Sequence, residues 1–115
     1  MSHGRVGIVG YGVYIPWERI ETAKIVRERE SKRGQELEKV LEKVRNGLLL
    51  REKSLAGHTE DTITIATEAA ENAVRMAGIS PDEIGSVTVG SESKPYAVGT
   101  IARHVASFIG VGENV

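Results

Sequence analysis

Apolar positions change period several times along the chain, and each change marks an element. The first run, Val6-Gly7-Ile8-Val9-Gly10-Tyr11-Gly12-Val13-Tyr14-Ile15, is β-branched and glycine-rich and ends at Pro16. It predicts a buried strand that bends, or lets other backbone come close, at its glycines. From Glu21 to Arg45 the pattern turns helical and strongly charged. Leu37, Val40, Leu41 and Val44 fall at i, i+3, i+4 and i+7, one amphipathic stripe. Glu38 with Glu42, and Lys39 with Lys43, take the solvent-facing sides. Gly34 is expected to divide this stretch into two helical pieces, because glycine inside a helix costs about 1 kcal/mol relative to alanine. The charge run from Arg27 to Arg33 reads as a solvated face. Gly47 can end the second piece, after which Leu48-Leu49-Leu50 leads into a polar loop from Arg51 to Thr59.

A further helix is expected to start near Asp61, since Glu60 and Asp61 suit the positive end of its dipole. Ala66, Ala69, Ala70, Ala73, Val74 and Ala77 form its predicted buried stripe, and side chains this small suit close packing. Gly78 is the stop signal, and Ser80-Pro81-Asp82-Glu83 opens a short turn with proline near a first helical position. Ser86-Val87-Thr88-Val89 reads as a second strand, followed by Gly90-Ser91-Glu92-Ser93 and Lys94-Pro95-Tyr96. The last helix should carry Val98, Ile101, Ala102, Val105, Phe108 and Ile109 on one face, and the segment from Gly110 to Val115 reads as an approach to another strand. Strand–helix–strand–helix order predicts an α/β layered fold. No repeat, low-complexity tract or linker divides residues 1–115, so they read as part of one domain.

Composition narrows the function classes. At 40% hydrophobic and 27% charged residues the chain is ordinary for a globular protein, and aromatics are scarce at 4%. A net charge of -1 gives no electrostatic case for nucleic acid or an anionic membrane. Apolar runs are too short to span a bilayer, and Met1-Ser2-His3-Gly4-Arg5 lacks the pattern of a secretory signal, so a cytoplasmic protein is expected. The chain has no cysteine, which excludes disulfides, cysteine zinc sites and a cysteine nucleophile within these residues. Gly7, Gly10 and Gly12 superficially suggest a dinucleotide fingerprint, but its third position is Val9 and the chain runs on to Pro16 instead of entering a helix.

Three stretches together resemble a known family. Gly7 to Pro16 resembles the opening strand of archaeal hydroxymethylglutaryl-CoA synthases. Glu60-Asp61-Thr62, then Ile65-Ala66 and Glu68-Ala69-Ala70, is similar to the family's next helix. The most specific stretch is Ile84-Gly85-Ser86-Val87-Thr88-Val89-Gly90-Ser91-Glu92-Ser93 with Pro95-Tyr96-Ala97-Val98. The opening strand alone is shared with ketoacyl synthases of the chalcone and initiation types; the later segment narrows the choice. The resemblance implies a thiolase-like layered αβαβα fold, of which residues 1–115 would be the opening portion of the first half, stopping before the catalytic cysteine. It implies condensation of acetyl-CoA with acetoacetyl-CoA to 3-hydroxy-3-methylglutaryl-CoA and free CoA, a step toward mevalonate, with CoA thioesters as substrates and no cofactor. It implies a dimer or larger homo-oligomer, and association with acetoacetyl-CoA thiolase. Of the three residues used by the family, a cysteine that takes the acetyl group, a glutamate that deprotonates it and a histidine that polarises the second substrate, only the glutamate has a counterpart, at Glu92.

Read from the residues alone, Glu92 lies just beyond the carboxyl end of a predicted buried strand, where α/β sheets place their sites. Partial removal from water there would raise its pKa and make it a better base. The competing reading is a loop glutamate capping the following helix; spacing alone favours that reading, and the flanking motif reverses the preference. His3, His58 and His104 fit tail, loop and helix-surface roles, and Ser91 and Ser93 have no triad partners. Arg51 or Lys53, in the loop from Asn46 to His58, could meet a CoA phosphate, although exposed solubilising charge is the simpler reading. The segment Gln35 to Arg45 lacks the acidic-small pair that some relatives place near substrate. Three alternatives stay open: a stand-alone module that binds a partner, a split enzyme completed by another chain, and a ketoacyl-ACP synthase III-like condensing enzyme.

Overall fold

The computed structural model describes residues 6–31 and 36–112, which divide into two compact units. His3, Gly34 and residues 113–115 lie outside the described residues, and with them the expected break at Gly34 and the last part of the expected closing strand.

The unit holding residues 59–112 together with residues 6–15 is built on its long helix. In chain order the elements are β1 Glu18–Glu21, α1 Thr22–Ser31, α2 Leu37–Glu42, β2 Glu52–Leu55, α3 Thr62–Ala77 and α4 Ile101–Phe108. Helix α3 starts where its chemistry dictates. The Asp61 carboxylate accepts from the Thr64 amide at 2.9 Å, and the Asp61 amide donates back to the Thr64 hydroxyl at 2.8 Å. This reciprocal cap satisfies two donors that would otherwise be orphaned. Gly78 closes the helix in the left-handed region, at φ 65°. Ile63 on α3 and Ile101 and Val105 on α4 form the core, with Ala66, Ala70, Val87 and Val89 packed on it. The alternation of Val87 and Val89 toward one side is the period-two signature expected of the segment 86–89, although it joins no ladder among the described residues.

Residues 10–14 run along α3 in the opposite direction. A Cβ on Gly12 would collide with the Ala69 carbonyl oxygen and the Ala73 nitrogen, and one on Gly10 would come within 2.7 Å of the Ala73 oxygen and 2.8 Å of the Ala77 Cβ. Close backbone approach, not a nucleotide loop, is thus what these glycines serve. The Asn72 amide donates to the Val13 carbonyl at 3.2 Å, and the Tyr14 hydroxyl donates to the Glu60 carboxylate. The expected burial of this run is corrected: Val6, Ile8, Val9, Tyr11, Val13 and Ile15 are exposed, because the segment makes no ladder among the described residues and only its glycine side meets α3.

One face of α4 also differs from expectation. The buried arc runs from Ile101 through Val105 to Ala106, so Phe108 falls just past its edge and is exposed. Val98 precedes the helix, whose cap is Thr100, and is exposed as well.

The second unit, residues 16–58, is organised locally. Strands β1 and β2 pair antiparallel, Glu18 opposite Leu55 and Glu21 opposite Glu52, and the Thr22 amide continues the pairing to the Arg51 carbonyl at 2.9 Å. This two-stranded ladder, closed across the intervening helices, takes Glu21 out of the expected helix, which starts one residue later, and occupies part of the expected polar loop from Arg51 to Thr59. The α2 stripe is as predicted: Leu41 is buried, Leu37, Val40 and Val44 are half-buried, and Glu38, Lys39, Glu42 and Lys43 face solvent. Its last turn widens into a π-turn over Lys43–Gly47, closed by Leu48 N–H donating to the Lys43 carbonyl at 3.1 Å.

Candidate active site

The loop after residues 86–89 presents the one candidate catalytic residue. Val87 and Val89 anchor the approach in the core, and Gly90 leads to Ser91-Glu92-Ser93. Within the loop, the Ser93 amide donates to the Ser91 hydroxyl at 3.0 Å, a local serine turn. The Thr62 hydroxyl, in the first turn of α3, donates to the Ser93 carbonyl. Glu92 therefore sits between two held residues, and it is exposed, so the burial expected to sharpen its basicity is not provided by these residues.

The first turn of α3 is a junction. Glu60, two residues before Thr62, accepts from Tyr14. That hydrogen bond, together with the charges of Glu60 and Glu68, raises the Tyr14 phenol above its ordinary value of 10.0. No motif in the sequence flagged either tie, since they join residues 46 and 31 positions apart.

His104 is engaged with a neighbouring ring and with its own helix. His104 stacks at a tilt on Tyr96, with ring centroids 5.8 Å apart, and its Nδ1 lies 3.4 Å from the Thr100 carbonyl. His58 is exposed and belongs to the other unit. The Ser91 hydroxyl and the Ser93 backbone are both engaged in the turn. Arg51 lines an open groove of about 650 Å³ with Glu21, Arg45, Asn46 and Glu52, while Lys53 lies on β2 opposite Ile20. Two arginines and two glutamates leave that groove without net charge, which favours solvated charge over a phosphate site. Among the described residues no cluster of three or more His, Asp or Glu side chains could hold a metal, and no helix is long and apolar enough to cross a membrane.

A carboxylate on a loop beyond core-anchored residues, clasped to a helix start, offers acid–base chemistry of the kind α/β enzymes carry at such loops. Comparison with known proteins finds the chain similar to archaeal hydroxymethylglutaryl-CoA synthases. The chain is 47% identical to that of Archaeoglobus fulgidus over 109 residues, which is 95% of this chain and 29% of the relative. It is 47% identical to the Methanopyrus kandleri synthase over 106 residues, 92% of this chain and 28% of that one. With the Pyrobaculum arsenaticum synthase the identity is 42% over 111 residues, 96% and 30% of the two chains. No protein-family model matches the chain. The resemblance carried by the three sequence stretches thus extends over nearly the whole chain, while the chain spans under a third of the length of these relatives.

Proposed function

We propose that this chain is the opening portion of the first half of a thiolase-like condensing enzyme, a hydroxymethylglutaryl-CoA synthase that joins acetyl-CoA to acetoacetyl-CoA. The observation that carries the reading is the 47% identity across 95% of the chain, which takes in the Gly90-Ser91-Glu92-Ser93 loop. In this reading Glu92 is the base. It removes a proton from the methyl of the acetyl group held as an enzyme thioester, and the carbanion so formed attacks the ketone of acetoacetyl-CoA. The thioester requires a cysteine, and none of these residues is one, so the chain alone is inactive. The substrates are CoA thioesters, and the enzyme needs no further cofactor. A cytoplasmic homo-oligomer in contact with acetoacetyl-CoA thiolase completes the proposal.

A second reading is supported by the exposed apolar residues. Val6 is fully accessible and Ile8 is 91% exposed, an arrangement suited to being covered by further polypeptide. In a split enzyme that polypeptide would also bring the cysteine and histidine.

The test is a hybrid in which residues 6–112 replace the matching segment of the Archaeoglobus fulgidus synthase, assayed by release of free CoA from the two thioesters. The wild-type hybrid is expected to turn over, and Glu92→Gln to lower kcat by about 10²–10⁴-fold. A folded hybrid without turnover sinks the family function. Full activity in Glu92→Gln sinks the assignment of the base.

A further inference from the structure

We propose that Thr62 is a positioning residue for Glu92, fixing the 91–93 loop on the start of α3 through the hydrogen bond from its hydroxyl to the Ser93 carbonyl. The proposal rests on the reading of Glu92 as the base and adds to it a residue that touches no substrate.

Three features make this tie more than a chance surface contact. It spans 31 residues, joining the loop to an element that is itself anchored: Ile63, the next residue, is buried in the core with Ile101 and Val105. The reciprocal cap between Asp61 and Thr64 fixes the backbone on both sides of Thr62 without using the Thr62 hydroxyl, which is left for the loop. On the loop side, the Ser93 amide is held by the Ser91 hydroxyl, so Ser93 is gripped at its N–H from within the loop and at its carbonyl from α3. Glu92 is exposed and lies between Ser91 and Ser93, and among the described residues none holds its side chain; its aim depends on the backbone to either side. A base displaced by about 1 Å can lose on the order of 10²-fold in rate, because proton abstraction needs a near-attack geometry.

Threonine fits this task better than serine or valine for separate reasons. The hydroxyl makes the bond, and β-branching restricts χ1 and so narrows where that hydroxyl points. Valine keeps the shape and removes the donor, leaving the Ser93 carbonyl to solvent. Serine keeps the donor at the cost of rotamer freedom.

Two measurements test the proposal. In the hybrid synthase, Thr62→Val is expected to lower kcat about 10- to 100-fold with KM for both thioesters unchanged, and Thr62→Ser to recover most of the loss. A parallel rise in KM, or no recovery with serine, would mark a general structural role and overturn the proposal. Glu92→Gln separates the two layers. If it leaves the rate intact, the base reading fails; if it abolishes the rate while Thr62→Val does not lower it, positioning alone fails. On the 115-residue chain itself, backbone order parameters at residues 91–94 are expected to fall from about 0.85 to below about 0.6 in Thr62→Val and to return in Thr62→Ser. Unchanged order in Thr62→Val overturns the proposal whatever the hybrid does.

Discussion

The two units are held together in different ways. In the unit of residues 6–15 and 59–112, distant parts of the chain meet through particular side chains: Asn72 with Val13, Tyr14 with Glu60, Thr62 with Ser93, and two glycines laid against the α3 backbone. In the unit of residues 16–58, the described ties are mostly backbone ladders and near neighbours in sequence: the β1–β2 pairs, the Arg19 guanidinium on the Pro16 carbonyl, and the exposed Lys39–Glu36 pair one helical turn apart. A backbone ladder accepts almost any side chain, whereas a helix with another stretch of chain pressed on its main chain accepts only glycine at the contact. The first unit should therefore be the intolerant one, and it is also the unit that carries Glu92.

Gly12→Ala should show this most strongly. The added Cβ meets backbone atoms, the Ala69 oxygen and the Ala73 nitrogen, which cannot step aside as a side-chain tip can. Loss of stability is expected near the upper end of the roughly 1–3 kcal/mol typical of overpacking. Gly7→Ala in the same run meets nothing within 4 Å, and should be neutral or slightly stabilising through the unfolded state. Urea unfolding of both variants gives the answer. If Gly12→Ala proves as mild as Gly7→Ala, the close approach, and with it the contrast between the units, is wrong.

Capping gives the next largest effect. Asp61→Ala removes the side-chain acceptor at the start of α3 and should cost about 1 kcal/mol. Glu36 occupies the same position before α2 but makes no side-chain cap, so Glu36→Ala should cost nothing on that account. Thermal melts of the two variants sharpen the comparison; equal losses would show that α2 is capped after all.

How much of this was legible in the sequence follows from the same physics. The limits of α3 could be read because Asp61 and Gly78 are chemical punctuation, and the α2 stripe because burial of Leu41 obliges its neighbours at helical spacing to turn inward. The β1–β2 pair left no trace, since Glu18-Arg19-Ile20-Glu21 and Glu52-Lys53-Ser54-Leu55 are largely exposed and a ladder of backbone bonds needs no apolar alternation. The apolar, glycine-punctuated character of residues 6–15 is plain in the sequence, yet what their glycines touch depends on the third dimension. Glu92 stood out only through its flanking motif. The Thr62–Ser93 and Tyr14–Glu60 ties, which organise the loop and the helix start, join residues far apart in sequence and are encoded by no period.

The smallest expected effect concerns pH and isolates the first unit, because Tyr11, Tyr14 and Tyr96 all belong to it. Donating a hydrogen bond to the Glu60 carboxylate holds Tyr14 in the neutral form, so its folded pKa lies above the ordinary value of 10.0 that the unfolded chain shows. A group whose pKa is raised on folding binds its proton more tightly in the native state. Its contribution is fully present below the unfolded pKa and is lost as pH rises through the raised folded value. Wild-type protein should therefore lose stability as pH rises above about 10 by more than Tyr14→Phe does, and the difference should be modest because the phenol is only partly shielded from solvent. Phenolate absorbance followed during the same titration should show a late-ionising component in the wild type that Tyr14→Phe loses. If both proteins titrate and unfold alike, the tie between residues 6–15 and the start of α3 is absent in solution. The first unit would then lose one of the long-range contacts that set it apart from the second.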